Sequence, residues 1–398
     1  MSTSNRVLRR PRFDVSRRPF IVIWEATRAC SLACAHCRAE AIPDRDPREL
    51  DCVEALELMA QVASFGRPPP LFVITGGDPF ERPDLEDLIR GGRAAGLPVA
   101  VSPSATSELT EENLARVRTA GATALSLSID GIGEVHDRFR GVAGVFDRTI
   151  AAWHAARRLG IKVQINSTVT AATVDELPEI MRLVLALGAM TWSVFFLVPT
   201  GRGAGLEGLS PADFEDVLHF LYDADKIISV KATEAHHFRR VVIERRVLEE
   251  RGIDPVPTLG LGATYERLRA RLDELVGVEV ARREVHRPPM DVASGRGFVF
   301  VSHLGDVMPS GFLPLSLGNV RERPLPDIYR DSPLLADLRD PDLLLGRCGR
   351  CEFRSVCGGS RSRAYGVTGN VFAEEPGCAY EPGSFPFPGD VQALVAAT

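Results

Sequence analysis

Between residues 18 and 203, short apolar, β-branched runs alternate with longer stretches whose apolar residues recur at helical spacing. That is the pattern of βα units building a parallel sheet. Strands are predicted over residues 20–24, 71–75, 98–102, 124–129, 162–166 and 192–198. Helices are predicted over 53–65, 111–120, 149–159 and 177–187. A complete eightfold barrel takes about 250 residues. Six units ending near residue 203 therefore predict an α/β fold of the partial (β/α)6 TIM-barrel type, open on one side. In such sheets the chemistry gathers outside the carboxyl ends of the strands.

Ser210, followed by Pro211 and Asp213, carries the signature of a helix start. Residues 236–290 are charged and mostly helical in pattern, at 238–250 and 265–275, with breaks at Pro255 and Pro257. His236 and His237 are expected to be solvated there, because neighbours on a helix point in different directions. From about residue 296 the composition changes. A hairpin over 297–309 turning at Gly305-Asp306, a short helix and a cysteine-rich end predict a small α+β domain. The predicted organisation is a flexible basic tail (1–17), the partial barrel (18–208), a helical bridging region (209–295) and the small C-terminal domain (296–398).

Hydrophobic residues make up 45% of the 398 residues and charged ones 25%, which is ordinary globular usage and argues against disorder or a coiled coil. The net charge of -6 gives no reason to bind nucleic acid or anionic lipid. No apolar run approaches the roughly 18 to 20 residues that span a bilayer. The arginine pairs Arg9-Arg10 and Arg17-Arg18 lead into no apolar export segment, and Pro11 and Asp14 interrupt the stretch, so a cytoplasmic protein without nucleic-acid or membrane partners is expected. Seven of the eight cysteines fall in two clusters, which in a reducing compartment points to metal or redox chemistry rather than disulfides.

Cys30, Cys34 and Cys37 form C-x3-C-x2-C directly after the first predicted strand, three thiolates on one loop. A closed zinc or electron-transfer site normally uses four protein ligands, whereas a reactive centre keeps one position free. A zinc site here would need His36 or Cys52 as its fourth ligand. The motif, at the head of a six-unit βα array, resembles that of the radical S-adenosylmethionine (AdoMet) superfamily. The resemblance implies a [4Fe-4S] cluster whose open iron chelates AdoMet, and an electron that breaks a carbon–sulfur bond to give a 5′-deoxyadenosyl radical, which then removes a hydrogen atom. It also implies a reductant of the flavodoxin or ferredoxin type. Thr75-Gly76-Gly77-Asp78-Pro79, after the second strand, reads alone as a plain βα turn. In this setting it resembles the family's Gly-Gly-Glu segment that binds the methionine amine, with an aspartate one methylene shorter. By the same resemblance Ser128, Asp130 and Asn166 would face the ribose or methionine, Arg140 the carboxylate, and the Leu197-Val198 backbone the adenine. The alternative is that Asp130 caps a turn and Asn166 satisfies local backbone.

Cys348, Cys351, Cys357 and Cys378 give C-x2-C-x5-C-x20-C, a set that saturates a metal unaided; by spacing alone it fits a zinc knuckle or an iron–sulfur cluster. CGRCEFRSVCGGSRSRAYGVTG followed by Pro376-Gly377-Cys378 is similar to the SPASM or twitch extensions of radical AdoMet enzymes, which implies one auxiliary [4Fe-4S] cluster. Ser302-His303-Leu304-Gly305-Asp306, with Pro309 to Phe312, Gly318-Asn319-Val320 and Gly358 to Arg361, resembles the haem and haem d1 biosynthesis branch. That implies a small-molecule tetrapyrrole substrate whose propionate is decarboxylated or removed, with the auxiliary cluster accepting the surplus electron. Arg202, Arg361 and Arg363 are candidate carboxylate clamps, the alternative being solvated surface cations. His303 is a candidate iron ligand or proton donor, or a satisfied turn histidine. The second enzyme reading is maturation of a ribosomally made peptide, although no leader-recognition domain is evident at the start of the chain. The non-enzyme reading is a zinc-stabilised binding module.

Overall fold

The computed structural model describes residues 8–276 and 288–396. The alternating pattern resolves into β1 (Ile21–Thr27), α1 (Cys52–Ala63), β2 (Leu71–Gly76), α2 (Leu85–Ala94), β3 (Val99–Val101), α3 (Glu111–Ala120), β4 (Ala124–Ser128), α4 (Glu134–Arg140), α5 (Val145–Arg158), β5 (Lys162–Val169), α6 (Leu177–Leu187) and β6 (Thr191–Phe196). Then come α7 (Pro211–Asp225), β7 (Val230–Thr233), α8 (Phe238–Glu250), α9 (Pro255–Leu259), α10 (Ala263–Val276), β8 (Phe298–Val301), β9 (Asp306–Met308) and β10 (Gly318–Asn319). Helices α11 (Leu325–Asp331), α12 (Pro333–Arg339), α13 (Gly346–Arg350), α14 (Arg361–Thr368) and α15 (Pro388–Ala396) complete the chain. Local chemistry sets the helix ends. Asp51 and Glu54 form a reciprocal capping box on α1, and Ser210 caps α7 by accepting from the Asp213 amide. Gly121 and Gly188 close α3 and α6 in the left-handed conformation.

All ten strands share one sheet, in the order β10-β9-β8-β1-β2-β3-β4-β5-β6-β7. β1 to β7 run parallel in sequence order, β8 adds parallel to the other side of β1, β9 runs antiparallel to β8, and β10 antiparallel to β9. Val22, Trp24 and Ala26 of β1, and Trp192, Val194 and Phe196 of β6, bury themselves in the main hydrophobic core. Phe214 of α7 stacks on Phe196 at 4.2 Å between ring centroids, so the even-numbered positions of β6 face the helices. The residues between them point to the inner face. The sheet curls until its two ends meet: Phe195 of β6 lies 6.3 Å from Phe312, which follows β9, and Ser310 donates to Glu234, which follows β7, at 3.4 Å.

Three features differ from the expectations above. The bridging region contains β7, a seventh parallel strand; four residues, Val-Lys-Ala-Thr, are too short a run for alternation to announce a strand. His237 is not solvated. It is buried with its ring 4.5 Å from that of Phe214, and burial pushes its pKa down to about 4, because α8 packs against α7 and the C-terminal region. Within the expected tail, residues 8–17 are docked: Leu8 is buried and the Arg9 amide donates to Pro289. Residues 1–7 lie outside the described residues. No described helix is long and apolar enough to cross a membrane.

Tyr329 on α11 shows how the C-terminal region is fastened. Its buried hydroxyl donates to the Val15 carbonyl at 2.5 Å and accepts from the Gly297 amide, one residue before β8, at 3.0 Å. Tyr329→Phe strands both backbone groups and is expected to lower stability by about 1–3 kcal/mol. A fall in urea midpoint with an unchanged slope checks this.

Candidate functional site

The loop from Cys30 to Cys37 leaves the end of β1 and is clasped from several directions. Ile42 accepts from the Cys30 amide, Phe139 from the Ala35 amide, and Ala29 accepts from the Asp78 amide. After β6, the Arg202 amide donates to the Cys37 carbonyl at 3.1 Å and its Nε to the Cys34 carbonyl at 2.9 Å. Each sulfur accepts a hydrogen bond: Cys30 from the Leu32 amide and Cys37 from the Ala41 amide, both at 3.4 Å, and Cys34 from Arg140 Nη1 at 3.8 Å. Donors aimed at sulfur stabilise thiolate over thiol. Burial works the other way and pushes Cys30 up to about 11, so a bound cation is what would make the thiolate form favourable. His36 lies flat on Phe139, centroids 4.4 Å apart, and burial pushes it down to about 4. Cys52 opens α1 and packs against the core.

The turn after β2 is dictated by close approach. A Cβ on Gly76, whose φ is +150°, would lie 2.2 Å from the Thr27 carbonyl, and one on Gly77 2.2 Å from that of Ala29. Only glycine lets β2 press this closely on the strand that feeds the cysteine loop. Asp78 is fully buried and already engaged, accepting from the amides of Phe80 at 3.2 Å and Ser104 at 3.4 Å and from Thr106 Oγ1 at 2.6 Å. Burial pushes its pKa up to about 6 against those donors. Its side chain caps its own turn.

Asp130 and Arg140 also find each other, as a buried ion pair at 2.5 Å, while Asp130 Oδ1 accepts from the Thr168 amide at 2.6 Å. Burial opposes ionisation of Asp130, but Arg140, His36, His136 and the Thr168 amide together outweigh it and hold the carboxyl below its ordinary range. Ser128 ends β4 directly opposite Asn166 on β5, whose side chain accepts from Gln164 at 2.8 Å. A cavity of about 140 Å³ brings Gly76, Gly77, Ser128 and Arg140 together, with Thr75 and Ser102 beside them. The Leu197 and Phe196 carbonyls each accept from Arg363, at 3.1 and 3.2 Å, and Val198 is buried.

His303 follows β8 and is buried against a partner that sequence reasoning missed. Its Nδ1 lies 2.8 Å from Glu25 Oε1 on β1, and Arg38, the residue after Cys37, donates to Glu25 Oε2 at 2.6 Å. Burial alone would raise Glu25, but Arg38 and the His303 hydrogen bond outweigh it and hold the carboxyl at about 2. An ionised carboxylate only accepts, so Nδ1 carries the proton and Nε2 is the nitrogen left for chemistry. A charged residue inside the apolar run Ile-Val-Ile-Trp-Glu-Ala-Thr was the available signal for Glu25.

Cys348, Cys351, Cys357 and Cys378 all line one small cavity of about 30 Å³, with Arg240, Arg347 and Tyr380. Glu375 donates its amide to Cys348 Sγ at 3.3 Å and Gly359 its amide to Cys357 Sγ at 3.4 Å. Arg361 and Arg363, weighed above against a solvated surface, are buried. Arg361 Nη1 donates to the Val371 and Ala373 carbonyls, leaving Nε and Nη2 without a partner among the described residues. Arg363 is fully engaged, with Glu375, Leu197, Phe196 and the Glu234 carbonyl, and is not free to clamp a substrate. Among the described residues, the metal-ligating group with donor atoms within 4.8 Å of one another is Glu215, His219 and Glu244, whose two carboxylates already pair with Arg240.

Residues 24–184 match the family model described as the radical SAM superfamily. The chain is 39% identical over 369 residues to the AdoMet-dependent heme synthase of Methanosarcina barkeri, covering 92% of this chain and 97% of that protein. It is 38% identical over 367 residues to the AdoMet-dependent heme synthase of Oleidesulfovibrio alaskensis, covering 91% and 87%. Among solved structures, Streptococcus suis SuiB bound to precursor peptide SuiA superposes with a TM-score of 0.63, covering 93% of this chain and 76% of that one, at 15% identity, a likeness of fold.

The Asp130–Arg140 pair gives the site a measurable signature. Asp130→Asn keeps the shape but leaves a buried guanidinium uncompensated, at an expected cost of about 3–5 kcal/mol. The double variant with Arg140→Gln should recover part of that loss, and denaturation of the three variants against the parent checks the sign.

Proposed function

The chain belongs to the radical S-adenosylmethionine superfamily, and on that premise we propose that it decarboxylates or removes a propionate side chain of a haem-like tetrapyrrole in an oxidative reaction. The chain is a radical AdoMet enzyme, and its superfamily binds a [4Fe-4S] cluster and AdoMet. The observation that carries the substrate reading is the likeness to a haem synthase over 97% of that protein's length. Cys30, Cys34 and Cys37 would hold the first cluster. AdoMet would lie along Gly76, Gly77 and Asp78, Ser128, Asp130, Arg140 and Asn166, and the Leu197-Val198 backbone. Cys348, Cys351, Cys357 and Cys378 would hold one auxiliary [4Fe-4S] cluster; four thiols lining one cavity, with amide donors on Cys348 and Cys357, support a metal–sulfur group there. In this reading the barrel spans residues 18–208, the bridging region 209–295 and the cluster domain 296–398.

When bound, the clusters and AdoMet supply a radical that takes a hydrogen from the propionate and an acceptor for the electron left when carbon dioxide departs. The chain's own residues do the rest. Arg140 holds the Cys34 sulfur by a hydrogen bond while paired with Asp130, so the loop stays in one geometry as charge changes beside it. Glu25 orients the His303 imidazole with Nε2 free to meet a porphyrin iron or exchange a proton. Of the three clamp candidates, Arg202 keeps Nη2 and Arg361 keeps Nε and Nη2 unpartnered among the described residues, donors that would serve a carboxylate. A reductant of the flavodoxin or ferredoxin class would deliver the electron that starts each turnover.

Anaerobically purified protein is expected to be brown, with about eight irons per chain; colourless, zinc-loaded protein would reject both clusters. Incubation with iron-coproporphyrin, AdoMet and a reductant should lower the porphyrin mass by about 44 or 46 units per propionate, as carbon dioxide leaves without or with two hydrogens. Unchanged porphyrin alongside a modified precursor peptide would replace this reading with peptide maturation. Cys34→Ala should abolish AdoMet cleavage while circular dichroism stays near native. Cys357→Ala should retain uncoupled cleavage and lose product.

A further inference from the structure

Four adjacent parallel strands carry a polar row in register. Ser128 of β4 stands opposite Asn166 of β5, Asn166 opposite Ser193 of β6, and Ser193 opposite Lys231 of β7. Side chains at one level of a pleated sheet lie on one face. For β6 and β7 that face is the inner one: Trp192 and Val194 on either side of Ser193 are in the core, and Ser193 shares a 3.1 Å hydrogen bond with Thr233, two residues beyond Lys231. Val230, which alternates with Lys231, is buried, while Lys231 is exposed.

Three other cations along this wall are compensated. Arg38 pairs with Glu25, Arg140 with Asp130 and Arg363 with Glu375. Lys231 makes no hydrogen bond or ion pair among the described residues, and no carboxylate is paired to it. The chain has three lysines among its 47 basic residues; Lys226 pairs with Glu249, and Lys162 opens β5 on the opposite end of the strands. Lys231 is reached by water and yet ringed by protein, and the partial desolvation pushes its pKa down. An anion delivered from outside would relieve that penalty.

We propose that Lys231 is a substrate-recognition residue whose ammonium receives a propionate carboxylate of the tetrapyrrole. The assignment rests on the function proposed above and names the group that would read the substrate's charge. AdoMet's own carboxylate is not its partner. Three strand spacings of about 4.8 Å separate Lys231 from Ser128, roughly 14 Å in all, and Arg140, bonded to the Cys34 sulfur, is the cation at the cluster end.

The test compares the reconstituted parent enzyme with Lys231→Gln and Lys231→Arg, titrating iron-coproporphyrin and its tetramethyl ester anaerobically and reading the porphyrin absorbance. The parent should bind the free acid more tightly than the ester. Lys231→Gln should weaken the acid at least tenfold and leave the ester unchanged, while Lys231→Arg retains most of the preference. Circular dichroism and melting of both variants report on folding, and a glutamine variant that fails to fold passes the decision to Lys231→Arg, read through the salt dependence of acid binding. A folded Lys231→Gln that binds the acid as tightly as the parent overturns the assignment and leaves the function standing. A parent that binds neither porphyrin overturns both.

Discussion

The guanidinium of Arg363 fixes where the two cysteine sets stand relative to each other. It reaches from the start of α14, donates to the carbonyls of Phe196 and Leu197 where β6 ends and of Glu234 where β7 ends, and pairs with Glu375, whose amide meets the Cys348 sulfur. Carbonyls at strand ends have run out of ladder partners, and a buried acceptor without a donor is costly. The same stretch after β6 carries Arg202, which grips the first cysteine loop through its Cys34 and Cys37 carbonyls. Both candidate metal loops are thereby referenced to one short piece of backbone, and neither shifts without disturbing it.

Around this junction the charged groups come in matched sets. Glu25 has Arg38 and His303, Asp130 has Arg140, and Arg240 has Glu215 and Glu244 while its guanidinium lies 4.6 Å from the Tyr380 ring. Apolar replacements of equal volume are often neutral or stabilising at buried ion pairs, so stability alone is a weak account of them. Their common property is placement beside a sulfur or on the inner wall. There a paired charge presents a fixed dipole where a free one would draw in a counter-ion.

The α/β character, the six strands and the start of α7 were legible because alternation, helical spacing and capping chemistry are local. So were both cysteine sets, as spacings along the chain. Residues whose partners lie far away were not. Glu25 and His303 are 278 positions apart, and Arg363 and Leu197 166, and no pattern within a window of the sequence relates them. The partners of Asp78 were equally out of view: Ser104 and Thr106 arrive from the loop after β3, outside any window that contains its turn. His237 was placed in solvent because its helix was read without α7 packed against it.

The strand order ends at β10 on one side and β7 on the other, and what joins them is Glu234 against Ser310 and Phe195 near Phe312 rather than a ladder. A closed ring of strands has its girth set by the number of strands and their stagger. A ring split along a seam of side chains does not, because changes at those few contacts alter its bore while every backbone pairing keeps its place. A flat, broad guest would then be accommodated by tuning the seam, with the hydrogen bonding between strands untouched.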